Sequence, residues 1–182
     1  MTIRGARLNT YLFLLLGIAL GSGCQSDKNQ KKAPKKGYNL LRLHIEVNPD
    51  GADKSTLVSV GRHASFPVNI TMAAFVDEGH LTKVSLFEDA VGGFKIMLQL
   101  NRQGAWLLEQ YTVSNKGRRI VVSAELEGLR WVAAPLITKR ITDGIFTFTP
   151  DATREEAEKL VLGLNHTIKK LRSRNTFNDP EP

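Results

Sequence analysis

Between residues 41 and 148 the chain repeats one pattern, short runs in which apolar and polar residues alternate, each closed by turn-forming residues. Leu41, Leu43, Ile45 and Val47 alternate with Arg42, His44 and Glu46, a period of two that fits a half-buried strand, and Pro49, Asp50 and Gly51 end the run. Residues 56–60 and 66–72 continue the theme, with Gly61, Arg62 and His63 turning the chain between them. LTKVSLFED and FKIMLQLN flank the doublet Gly92-Gly93 and predict a hairpin; RRIVVSAEL and LRWVAA flank Glu127-Gly128 and predict a second. ITDGIFTF reads as one more short strand. Strands separated by turns rather than by helices pair with their sequence neighbours, so the sheet is expected to be antiparallel.

Two segments change period. In GAWLLEQYTVSNKG, Ala105, Leu108, Tyr111 and Thr112 share one helical face and Gly117 is the expected stop. Near the C-terminus Ala157, Leu160, Val161, Leu164, Ile168 and Leu171 form a continuous apolar stripe, opened by Asp151 and by Thr153, which with Glu156 makes a capping box. The expected fold class is α+β, an antiparallel sheet with two helices packed on one face. No internal repeat is apparent.

The first residues follow the order of an export signal: Arg4 and Arg7, an apolar stretch over residues 11–20, then Gly21, Ser22 and Gly23. The stretch is shorter than the roughly 20 apolar residues a membrane span needs. Next comes Cys24, the single cysteine of the chain, so no disulfide can form within it. Small residues immediately before a cysteine resemble the lipobox of bacterial lipoproteins, in which that cysteine is acylated and becomes the new amino terminus. Leu20 stands four places ahead of Cys24 rather than the usual three, with Gly21 in the customary position. This organisation predicts a lipoprotein-type signal peptide over 1–23, a lipid-anchored flexible tether over 24–38, a folded domain over 39–174 and a disordered tail over 175–182. Gln25 after the cysteine favours the outer membrane under the sorting rule of enteric bacteria. The expected partner is the lipid bilayer, reached through a palmitate-type chain on Cys24, with the domain facing the periplasm.

The formal net charge of +7 is unevenly placed. Without Arg4 and Arg7 the chain holds 23 basic and 18 acidic residues; the tether then claims Lys28, Lys31, Lys32, Lys35 and Lys36 against Asp27. The domain keeps 18 basic against 17 acidic residues, which gives no reason to expect a nucleic acid ligand.

Catalytic side chains are present but nothing in their spacing gathers them. His44, His63, His80 and His166 lie in different elements with no i, i+4 pair, and are read as solvated surface histidines rather than as zinc ligands. No nucleophile elbow, phosphate loop or dinucleotide fingerprint occurs. Glu155, Glu156 and Glu158 fit the first turn of the last helix, where negative charge meets the helix dipole. For Arg118-Arg119 an anion site and a structural role at a helix end both fit. Trp106 and Trp131 are expected in the core or at its rim. The chain is expected to be no enzyme and to need no metal or cofactor; the one site residue with defined chemistry is Cys24.

Five pieces in order carry a resemblance: Leu100, Asn101 and Gly104; Asn115, Gly117 and Arg118; Ala134, Pro135 and Ile137; Ile141 and Gly144; Glu155, Glu156 and Ala157. Read together over about 70 residues, they resemble the head subdomain of the first periplasmic domain of the SecD and SecDF protein-export proteins. Glu127-Gly128 replaces the Asp-Gly turn usual there, Asp143-Gly144 replaces Gly-Gly, and the membrane helices of that family are missing from this sequence. The resemblance implies a head-like module that contacts polypeptide during export or envelope protein handling, with unfolded exported chains or the translocon as partners. An architectural subunit of a folded envelope complex is the alternative. Gly117, Pro135 and Gly144 are read as serving backbone geometry rather than ligand contact.

Overall fold

The computed structural model describes residues 39–49, 54–62, 64–89 and 92–178, with side chains through Arg174. The expected signal peptide over 1–23, Cys24, the expected tether over 24–38, the expected turn at Asp50-Gly51 and His63 lie outside the described residues. Among the described residues eight strands and two α-helices follow one another as β1 (Leu41–Ile45), β2 (Ser55–Val60), β3 (Phe66–Thr71), β4 (Leu81–Glu88), β5 (Phe94–Leu100), α1 (Arg102–Ser114), β6 (Ile120–Glu125), β7 (Leu129–Ala133), β8 (Ile145–Phe148) and α2 (Arg154–Asn178). The α+β class and the antiparallel pairing are as the sequence predicts. The strands divide into three sheets, however: β1-β6-β7, the hairpin β2-β3, and β4-β5-β8.

Both expected hairpins form, β4 with β5 and β6 with β7. β1 instead pairs with β6, Leu43 opposite Val122 and Ile45 opposite Ile120, across some 75 residues of chain. Alternation prescribes which side chains turn inward but not which strand lies alongside, and this long-range partner is chosen by the shared core. Leu41, Leu43, Ile45, Ile120, Val122 and Ala124 turn one face into that core, where they meet Val84, Ile96, Leu98, Phe146 and Phe148 from the second sheet. The other face of β6 carries Val121, which Val60, Val68 and Ile70 of the β2-β3 hairpin cover.

The helices enter through their apolar stripes. Leu108 of α1 and Ala157, Leu160, Leu164 and Ile168 of α2 are buried in the main core. Asn101 caps α1, its Oδ1 accepting the Gly104 N–H at 2.8 Å. At α2 the capping box is reciprocal: the Glu156 N–H donates to Thr153 Oγ1 at 3.2 Å and the Thr153 N–H donates to Glu156 Oε2 at 2.8 Å. That helix runs to Asn178, four residues beyond the expected domain end at 174. Ser173 to Asn178 contain no glycine or proline, and the first proline ahead is Pro180, so nothing in the sequence halts the helix earlier.

An edge strand left bare invites pairing with other chains. On β4 that edge is occupied by a side chain: the Val84 N–H donates to Asn165 Oδ1 at 3.1 Å and Asn165 Nδ2 donates back to the Val84 carbonyl at 2.8 Å. Two positions along, Arg172 Nη2 donates to the Thr82 carbonyl at 3.1 Å. The Asn165 amide thus takes the place of a neighbouring strand's peptide group. Replacing it with Leu should cost about 1–3 kcal/mol, since each hydrogen bond is worth about 1 kcal/mol net. Denaturant unfolding of N165L measures this loss; an unchanged midpoint would show the bonds to be dispensable.

Candidate functional site

Four of the five sequence pieces are joined in two pairs by backbone hydrogen bonds. The Leu100 N–H donates to the Gly144 carbonyl at 3.0 Å, joining the first piece to the fourth. The Gly117 N–H donates to the Ile137 carbonyl at 2.9 Å and the Ile137 N–H to the Arg118 carbonyl at 2.8 Å, joining the second to the third. Gly144 has φ +66°, and a Cβ there would lie 2.8 Å from the Cβ of Ala105. Glycine is thus required twice over, for the left-handed backbone and for the close approach of α1. Gly117, at φ +86°, ends α1 in the same left-handed region.

These joints frame a cleft of about 440 Å³, lying between β8 and residues 135–143. Its walls include Pro135, Leu136, Ile137, Ile141, Ile145 and Phe146. Leu136 and Ile145 are exposed at 50% and 37%, a substantial apolar surface for the lip of a cleft. One wall is tied down at Ile141, whose N–H donates to Thr112 Oγ1 at 3.1 Å, while that hydroxyl donates to the Leu108 carbonyl at 2.8 Å. The Arg140 guanidinium pairs with Glu109 of α1. The segment 135–143, which forms most of that wall, is therefore tied to α1 at Thr112 and Glu109.

A second, smaller cleft of about 250 Å³ lies on the outer face of β1-β6-β7, lined by Arg42, His44, Ile70, Met72, Leu129 and Trp131 among others. Here the expectation of a surface histidine is corrected: His44 is 6% exposed. Its Nδ1 donates to the Thr71 carbonyl at 2.9 Å, and its ring meets that of Trp131 edge to face at 5.2 Å. The alternation that puts Leu43 in the main core turns His44 to the opposite face, and the β2-β3 hairpin covers that face. Burial pushes the His44 pKa down; the Thr71 carbonyl opposes the shift and Arg42 adds to it. His80 is half-buried, its Nδ1 2.8 Å from Asp77 Oδ1, whereas His166 is exposed.

The remaining charged candidates are held by the protein itself. Arg119 donates to the Ala134 carbonyl at 2.9 Å with its guanidinium 5.4 Å from the Phe66 ring centre, and Arg118 donates to the Glu46 carbonyl at 3.4 Å. Glu156 accepts two bonds from Arg62 Nη2, at 2.7 and 2.8 Å, and one from Arg130 at 3.2 Å. The Thr153 N–H foremost, then Arg62, hold its carboxyl below the usual carboxylate range. Glu158 pairs with Arg154 one helical turn away. Among the described residues no three histidine, cysteine or acidic side chains group closely enough to hold a metal ion. Trp131 sits at a core rim, as expected; Trp106 does not, being 59% exposed on α1.

The fold is that of a SecD-type periplasmic head, an antiparallel α+β domain found in the SecDF protein-export proteins. A structure of SecDF, a membrane component that enhances protein export, superposes on 70% of this chain with a TM-score of 0.52 and 19% identity. SecDF in its super-membrane-facing form gives a TM-score of 0.51 over the same share, again at 19% identity. The chain spans 62% of the first of these structures and 19% of the second. No protein-family model matches the chain, and no curated protein matches it. No described helix is long and apolar enough to cross a membrane.

The buried imidazole sets a pH dependence. Because its folded-state pKa lies below the unfolded value of about 6.5, the unfolded chain binds the proton more readily and stability falls as pH drops below that value. H44N keeps a donor for the Thr71 carbonyl but does not titrate. Unfolding midpoints from pH 7.5 to 5 should fall in the native chain and fall less steeply in H44N; parallel slopes would assign the dependence to other groups.

Proposed function

We propose that this chain is a non-enzymatic envelope lipoprotein whose head-like domain binds polypeptide, assisting protein export or envelope protein handling from a lipid anchor at Cys24. The observation that carries the reading is the cleft beside β8, with exposed Leu136 and Ile145 at its lip and a SecDF-like fold around it. Apolar side chains at the mouth of a cleft suit a ligand whose own apolar side chains are exposed, which is the condition of an unfolded chain. The charged groups described above are engaged in caps and ion pairs rather than converging on a bound substrate.

Full-length protein in mild detergent should slow the aggregation of an unfolded outer-membrane protein at stoichiometric ratios. No effect on aggregation, together with no capture of unfolded client, would sink the reading. The anchor is tested separately: C24S should move the protein from the membrane to the soluble fraction, and persistence on the membrane would remove the lipid-anchor claim.

A second reading rests on α1. Trp106 and Val113, 59% and 54% exposed, stand seven residues apart on one helical face, as a docking surface for a folded partner would. A stoichiometric complex with one folded envelope protein, broken by W106A, would favour an architectural subunit.

A further inference from the structure

The register of β8 shows how a polypeptide would be held. Cα partners run Ile96 with Phe148, Leu98 with Phe146, and Gln99 with Ile145, and the Leu100 N–H reaches the Gly144 carbonyl. In an antiparallel ladder bonded pairs alternate with unbonded ones, so Gly144, Phe146 and Phe148 direct their peptide groups to β5. Ile145 and Thr147 direct theirs the other way, along the side that opens on the cleft. The Ile145 N–H is taken by Asp143 Oδ1 at 3.0 Å. The Ile145 carbonyl and both peptide groups of Thr147 have no partner among the described residues.

Among the described residues the β2 edge also has no backbone partner at Leu57 and Ser59, because the Met72 N–H bond to the Lys54 carbonyl puts even-numbered residues of β2 toward β3. Those two residues line neither cleft beside the hairpin. At β8 the edge residues Ile145 and Thr147 themselves form a cleft wall, with Ile137, Ile141 and Phe146 close behind.

We infer that β8 takes an extended polypeptide segment as an added antiparallel strand, with one aliphatic side chain of that segment turned into the cleft. This rests on the polypeptide-binding reading and assigns its place and mode. The ligand residue opposite Thr147 closes two backbone hydrogen bonds, and the residue opposite Ile145 donates one to the Ile145 carbonyl. The fourth bond is blocked, since its donor is held by Asp143. Backbone contact makes the site tolerant of sequence, and the cleft adds a preference for valine, isoleucine or leucine at alternate positions.

The probe is a fluorescein-labelled decapeptide alternating valine and serine, capped at both ends and titrated against full-length protein in mild detergent. T147P removes an outward N–H without touching the β5 ladder, and S59P does the same at the β2 edge. Binding should weaken at least ten-fold in T147P, and equally when the peptide is N-methylated at alternate residues. It should be unchanged in S59P and tighten several-fold in D143A, where the Ile145 N–H is released. Should T147P melt well below the native chain, hydrogen exchange on native protein decides, because bound peptide must protect the Thr147 amide. Peptide binding that ignores T147P and N-methylation, or capture of unfolded client without peptide binding, overturns the strand-addition mode and leaves the polypeptide reading intact. Failure to bind either peptide or client overturns both.

Discussion

The structure depends on the burial of one helix face. Ala157, Leu160, Leu164 and Ile168 of α2 are sealed in the core shared by the β1-β6-β7 and β4-β5-β8 sheets. Burying a leucine or isoleucine side chain stabilises by roughly 1.5–3 kcal/mol, so three of them rival the net stability of about 5–15 kcal/mol typical of a whole domain. The same helix reaches outward from this stripe. Glu156 ties its first turn to Arg62 and Arg130, Asn165 its middle to Val84, and Thr167 accepts the Asn39 N–H at 3.1 Å where the chain enters β1. α2 is therefore both the apolar centre and the polar fastening of the domain.

Local pattern carried much of this. The capping box at Thr153 and Glu156, the apolar stripe above it, the two hairpins and the stop at Gly117 each follow from residues adjacent in sequence, and each is found where those residues put it. What local pattern does not carry is partnership. Nothing in residues 41–45 specifies β6 rather than β2 as their neighbour, and the split into three sheets follows from how two layers and two helices share one core. The burial of His44 is not legible for the same reason: alternation places it opposite the core, and only the tertiary position of the β2-β3 hairpin makes that face an interior. The candidate cleft was half legible. Pro135, Ile137, Ile141 and Gly144 stood out in the sequence, while the strand edge they accompany is a property of the assembled sheet.

The motif residues are spent on joints rather than on chemistry. Leu100 with Gly144, and Gly117 and Arg118 with Ile137, are backbone bonds that fix where residues 135–143 run relative to β8. A cleft built this way owes its shape to glycine conformations and peptide groups, so side chains along its walls can change while the shape persists. A fold shared with SecDF at 19% identity is consistent with that division. Fold similarity at this level speaks for architecture, and any task must be argued from the site.

The two edges of the β4-β5-β8 sheet are treated oppositely. One is plugged at Val84 by the Asn165 amide, the other has no partner at Thr147 among the described residues. A sheet with two bare edges can be lengthened without limit, each copy templating the next, and its natural product is a fibre. Here the sheet has a valence of one. A strand that arrives at β8 can be followed by the β8 edge of one further copy, whose far edge is plugged in turn, so the row closes instead of growing into a filament through this sheet.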